Sequence, residues 1–114
     1  MSASSATYAG EEGPTMFKQA AREWLDEMER DGRLANLDED ARGRLVDQYA
    51  GRLDEIYQEE VLKQMEFRGK KRDYEHLVAY DSQYTTKFLN QVIPGYPRFR
   101  EEIFARAKKL IVGG

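Results

Sequence analysis

Few side chains in this 114-residue sequence have the chemistry to make or break a bond. The one histidine, His76, stands three positions after an aspartate in Asp73-Tyr74-Glu75-His76. An acidic residue at that spacing shares a helical face with the imidazole, as in half of a di-iron bundle site. Such a site needs two histidine pairs and further inward glutamates, so a single histidine cannot build it. A mononuclear set of Asp73, His76 and Glu60 has no defining spacing, and a surface or half-buried histidine is the simpler reading. The sequence therefore predicts neither a metal nor another cofactor.

Other catalytic designs fail on residue count or on geometry. With no cysteine in the chain, thiolate metal sites, cysteine nucleophiles and disulfides are excluded. Glu59-Glu60 and Glu101-Glu102 are paired carboxylates, but adjacent residues on a helix point about 100° apart and cannot serve one substrate atom together. Ser82, Thr85 and Thr86 have no base beside them, and no strand–turn–helix elbow presents a nucleophile. Gly10 and Gly13 precede no lysine–serine pair, so there is no phosphate loop. The terminal Gly113-Gly114 resembles the end of a ubiquitin-like modifier, but those are β-grasp folds, and a helix stop explains the pair better. No catalytic residue is expected.

What remains is binding chemistry. Phe67 is followed by Arg68, Lys70, Lys71 and Arg72, a set able to grip phosphates while the ring stacks on a base. The same cations suit the C-terminal end of a long helix, where the dipole favours positive charge. A net charge of −3 is unlike the basic excess of nucleic-acid-binding domains, so the helix-end reading is preferred. Among the seven tyrosines, five phenylalanines and one tryptophan, Trp24, Tyr49, Phe88 and Phe99 fall at helical spacing and read as core. Tyr57, Phe67, Tyr80 and Tyr96 fit the stripes less well and read as the rim of a partner-binding surface. The expected function is a protein–protein interaction or scaffold domain, self-association included. It would act through Tyr57, Phe67, Arg68, Lys70, Lys71, Arg72, Tyr80 and Tyr96. Nucleic-acid or ribosome association through residues 68–72 is the alternative.

The elements that must position these residues all read as helical, because no segment alternates with period two over a strand's length. Residues 1–14 lack periodicity and read as a flexible tail ahead of a single helical domain over 15–112. A first helix is expected from about Thr15, with Phe17, Ala20, Ala21, Trp24, Leu25 and Met28 inward and Gly32 as its stop. Asp38 should cap a second helix of about 28 residues, with Val46, Tyr49, Leu53, Ile56, Tyr57, Val61, Leu62 and Met65 as its stripe and Gly69 as its breaker. Gly43 and Gly51 inside it read either as points of close helix approach or as weak spots. Asp73 should cap a short helix with Tyr74, Leu77 and Val78 inward. Another, from about Gln83 to Val92, should bury Tyr84, Phe88, Leu89 and Val92. Pro94 ends it, and Pro97 opens a last helix presenting Tyr96, Phe99, Ile103, Ala107 and Leu110. The expected fold is all-α, a compact bundle of about five helices, three substantial and two short.

Composition sets the remaining expectations. Apolar residues make up 40% of the chain and charged residues 34%, which is globular and strongly solvated. The N-terminus has no basic and apolar leader, and no run approaches the ~18 apolar residues of a membrane span. Without cysteines, a reducing cytoplasm is the expected compartment.

In Phe88-Leu89-Asn90-Gln91-Val92-Ile93-Pro94-Gly95-Tyr96, leading into Phe99-Arg100-Glu101-Glu102-Ile103, the chain resembles a small all-helical bacterial family of unknown function. The likeness covers about residues 30–112 and rests on an aromatic–leucine pair, an Ile-Pro turn and a final amphipathic helix. Gly95 stands where that family commonly has an acidic residue, and Pro97 is extra. The resemblance implies an all-α fold and carries over no catalytic residue.

Overall fold

The computed structural model describes residues 12–35 and 37–113. Five α-helices account for most of them: α1 (Glu12–Arg30), α2 (Glu39–Phe67), α3 (Lys71–Tyr80), α4 (Thr85–Val92) and α5 (Tyr96–Val112). A single 3₁₀ turn, Ser82–Tyr84, joins α3 to α4. Among the described residues there is no strand, and no helix is long and apolar enough to cross a membrane. The expected tail at 1–14 lies outside the described residues up to position 11, and α1 starts three residues earlier than its expected start at Thr15. Pro14 sits in the first turn of α1, where a missing N–H costs no hydrogen bond.

Two glycines set the ends of the first two helices. Gly32 (φ 74°) and Gly69 (φ 68°) occupy the left-handed region that a Cβ disfavours. At α1 the amide of Arg33 donates to Met28 O at 2.9 Å; at α2 the amide of Lys70 donates to Met65 O at 2.8 Å. Each is the six-residue closure of a Schellman stop, which satisfies a carbonyl the helix leaves open. Asp38 caps α2 as expected, its Oδ1 accepting from the Ala41 amide at 2.8 Å.

The 29 residues of α2 rise about 43 Å and form the spine of the molecule. Val46, Ala50, Leu53, Tyr57, Val61 and Met65 recur every three or four positions and are its buried line. Tyr49, Ile56 and Leu62, expected in that line, lie at its margins and are only partly buried. Against this face α1 packs antiparallel, with Arg42 paired to Asp26 and Glu29 near the loop and Phe17 against Tyr57 further along. Helix α5 also runs antiparallel to α2, from Tyr96 beside Tyr57 to Leu110 and Ile111 beside Gly51 and Asp47. Phe17, Tyr57 and Phe104 close the three-helix core, with ring centroids 5.4 to 6.3 Å apart.

The short helices cover the C-terminal part of α2. Leu89 and Ile93 are buried in the same core as Met65, and Tyr74 joins them from α3. Asp73 does not cap α3: the helix begins at Lys71, with Lys70 at the N-cap position and no side-chain cap. Val78, Tyr84 and Leu110, expected inward, are exposed instead, because among the described residues no element lies outside α3, the 3₁₀ turn and the end of α5. A methyl group added at Gly43 or Gly51 would meet nothing within 4 Å, so neither glycine serves close helix approach. The molecule is a slab of 45 × 34 × 17 Å.

Candidate interaction surface

Of the eight residues expected to form a binding rim, two belong to the core. Tyr57 is 6% exposed and Tyr96 is 3% exposed. Their hydroxyls hydrogen-bond each other and tie α2 to the start of α5. Each phenol supplies the other's polar partner, so neither needs the rim position expected of a tyrosine. Tyr74 adds a third hydroxyl from α3, donating to Gln58 Oε1 at 3.0 Å. Burial, reinforced by the bond to Tyr96, pushes the Tyr57 phenol well above the ordinary tyrosine range. Burial, with Tyr96 and Asp54 nearby, pushes Tyr74 up to about 12. These phenols stay neutral over the physiological range and act as structural links.

The other six residues line the edge formed by the end of α2 and by α3. Phe67 is 83% exposed and Tyr80 75% exposed. Arg68, Lys70, Lys71 and Arg72 are all exposed. The Arg68 guanidinium carbon lies 5.8 Å from the centre of the Phe67 ring, over its π face, and its Nε donates to Gln64 Oε1 at 3.1 Å. Lys71 Nζ is 3.4 Å from Glu66 Oε2. Among the described residues no carboxylate stands within 4 Å of the cationic groups of Arg68, Lys70 or Arg72.

This placement overturns the helix-end account of the cluster. The break at Gly69 leaves only Arg68 at the C-terminal cap of α2. Lys70 is the N-cap of α3, and Lys71 and Arg72 lie in its first turn. There the helix dipole is positive, so each cation is mildly unfavourable for α3 instead of favourable for α2. Helix stability does not explain why four cations gather here.

Beyond the junction, Arg72, His76 and Tyr80 follow one another at four-residue spacing along one flank of α3, and all are exposed. The His76 and Tyr80 rings lie 4.8 Å apart. Val78 and Tyr84, about half exposed, lie on other sides of this segment, Val78 some 200° around α3 from Tyr80. Among the described residues, four of the five large apolar residues left exposed fall within residues 67–84; the fifth, Leu110, is on α5. Sequence reasoning misses Val78 and Tyr84 because their helical phase points toward a layer that the fold does not build. Charge is distributed unevenly as well. Residues 12–66 carry fifteen carboxylates and eight cations, whereas residues 67–113 carry five carboxylates and ten cations.

The metal set considered from the sequence does not assemble. Glu60 instead faces Lys63 at 3.3 Å and Arg106 at 3.6 Å, and the His76 ring lies against that of Tyr80 at a 45° tilt. Among the described residues no group of three histidine or carboxylate side chains is placed to hold a metal ion. Open grooves are also present among the described residues. One, of about 490 Å³, lies between α1 and α5 against Met16, Ala20 and Phe104, edged by Glu23, Arg100 and Glu101. Another, of about 440 Å³, lies between α2 and the end of α5 beside Tyr49, Leu110 and Ile111. Neither brings together a nucleophile and a base.

Compared with protein-family models, curated proteins and solved structures, the chain matches none of them, so the surface is read from its own geometry.

Proposed function

We propose that this chain is a non-catalytic docking domain that presents the α2–α3 edge to a protein partner. The observation that carries the reading is that Phe67 and Tyr80, the most exposed aromatic residues described, lie at the end of α2 and on α3 beside the basic cluster, while the apolar set is otherwise well buried. Exposed aromatics beside cations are the composition of protein interfaces, where rings anchor and arginines orient. The absence of cysteine supports a reducing, cytoplasmic setting. Kinship with the small helical bacterial family belongs to the same proposal. It is supported by the burial of Leu89 and Ile93 in the segment that carries the likeness.

Photo-crosslinking inside the cell tests the reading. A benzoylphenylalanine placed at Phe67 or Tyr80 should give one discrete adduct, absent when the same group replaces Arg22 on α1 or Arg98 on α5. Equal labelling from all four positions would remove the edge as a docking surface. Light scattering across a wide concentration range separates self-association from a foreign partner.

A second reading is favoured by one specific observation: among the described residues Arg68, Lys70 and Arg72 have no carboxylate partner, and Lys71 and Arg72 oppose a helix dipole. A nucleic-acid backbone would supply the missing charge. Binding of a single-stranded oligonucleotide should then weaken steeply between two salt concentrations. No binding, or affinity without a salt slope, excludes it.

A further inference from the structure

Taking the α2–α3 edge as a docking surface, as proposed above, we infer that the partner meets it with an acidic protein segment. Its carboxylates lie over Arg68 to Arg72, and an apolar side chain of the same segment rests against His76 and Tyr80.

The charge comes first. Arg68, Lys70, Lys71 and Arg72 all stand exposed, and among the described residues three of them have no carboxylate within 4 Å. Lys71 and Arg72 oppose the dipole of α3, so the cluster serves no helix of its own. Arg68 is already set for a carboxylate. Its guanidinium is held at two points, over the Phe67 ring at 5.8 Å and through Nε to Gln64 Oε1 at 3.1 Å. That anchoring leaves the two terminal nitrogens for the forked pairing a carboxylate accepts, with less side-chain freedom left to lose.

The apolar anchor sets the spacing. From Arg72 to Tyr80 is eight residues of α3, about 12 Å along the axis. At that end the His76 and Tyr80 rings lie 4.8 Å apart, both exposed, a seat for one apolar side chain. An extended segment covers ~12 Å in about four residues, so its apolar residue stands about four positions from its nearest carboxylate.

A protein segment fits this edge better than a phosphate chain. Glu66, Asp73 and Glu75 flank the four cations closely, and the whole chain carries a net charge of −3. A charge at every nucleotide would run across those carboxylates, whereas spaced acidic side chains can match the cations alone.

Fluorescence anisotropy with the full-length protein tests this, the probe being a fluorescein-labelled peptide Glu-Glu-Glu-Gly-Ser-Gly-Trp. We expect saturable binding that weakens about tenfold or more when glutamine replaces the probe's glutamates, and as much in the protein variant Arg68→Gln/Arg72→Gln. Serine in place of the probe's tryptophan, or Tyr80→Ser in the protein, should weaken it about threefold. The three substituted side chains are exposed, so the variants should keep the circular dichroism of the parent. The glutamine probe reads the same charge dependence with the unaltered protein. No saturation below about 1 mM, or a glutamine probe bound as tightly, overturns the inference. So does an oligothymidylate of equal charge that binds more tightly, which would assign the cluster to nucleic acid. The crosslinking test at Phe67 and Tyr80 is independent of the probe. A discrete adduct without binding of the acidic probe defeats this inference and leaves the docking reading standing. Probe binding with equal labelling from all four crosslinking positions keeps the acid-binding site and removes the docking role.

Discussion

Replacing Tyr57 by phenylalanine removes one oxygen and leaves every ring contact in place, which makes it a clean probe of the link between α2 and α5. The rings of Phe17 and Phe104, 5.4 and 6.3 Å from that of Tyr57, keep the same partner surface. What is lost is the hydrogen bond to the Tyr96 hydroxyl, in a site where both residues are buried. A buried polar group deprived of its partner costs ~1–3 kcal/mol. Tyr96 is itself buried, so the loss should fall within that range, about 1–3 kcal/mol. In a domain of this size the corresponding fall in Tm is on the order of 5 °C. The double variant Tyr57→Phe/Tyr96→Phe removes both hydroxyls together and should recover about 1 kcal/mol relative to the sum of the single variants. Urea unfolding followed by circular dichroism, with the slope m held constant across the set, reads all four corners of the cycle. Strictly additive losses, or single variants as stable as the parent, would show that the two phenols do not share a bond.

Alkaline pH should unfold the protein through the same cluster. A free tyrosine titrates near ~10, and Tyr74 in the folded chain is pushed up to about 12, so its contribution is complete below pH ~10 and is lost as pH rises toward ~12. Tyr57 acts in the same direction, and denaturant midpoints measured from pH ~8 to ~12 should fall through that window, less steeply in the double phenylalanine variant. Gly43→Ala and Gly51→Ala should each stabilise by ~0.5–1 kcal/mol, since both lie in helix with open space around the added methyl, whereas Gly95→Ala, at φ 65°, should destabilise by ~1–2 kcal/mol; thermal melts compare the three. Asp38→Ala should cost about 1 kcal/mol, because the Ala41 amide loses its acceptor, and amide exchange should speed up in the first turn of α2 only.

The helices themselves are legible in the sequence because their punctuation is chemical: Asp38 as a cap, Gly32 and Gly69 as stops, Pro94 as a barrier and Pro97 as a start. Apolar periodicity places Val46, Leu53, Val61 and Met65 correctly. It passes over Ala50, whose small side chain barely registers as hydrophobic yet is buried in the same line. Where sequence reasoning fails, the cause is tertiary. Tyr57 and Tyr96 lie 39 positions apart, and nothing local indicates that their hydroxyls meet. Val78, Tyr84 and Leu110 have the phase of core residues, but whether a face is covered depends on how many layers the chain supplies. The basic cluster is visible in the sequence, but it falls to the wrong helix there: Gly69 marks the end of α2, while no side-chain cap marks the start of α3 at Lys70.

The slab is about 17 Å thick, and most contacts between helices involve α2, so the molecule behaves as two hairpins sharing one strut. The α1–α2 arm is pinned by Arg42 and by Phe17, and the α5 arm by the Tyr57–Tyr96 bond and the Lys108–Glu27 pair. Such an arrangement gives a hierarchy of partial openings: the α3–α4 flap, with the fewest buried side chains, exchanges its amides first, and α2 is protected until both arms have released it. The α3 part of the edge, with Arg72, His76 and Tyr80, therefore belongs to the least protected cooperative unit, whereas Phe67 ends the strut. That part can remodel against a partner while the strut that holds it stays folded.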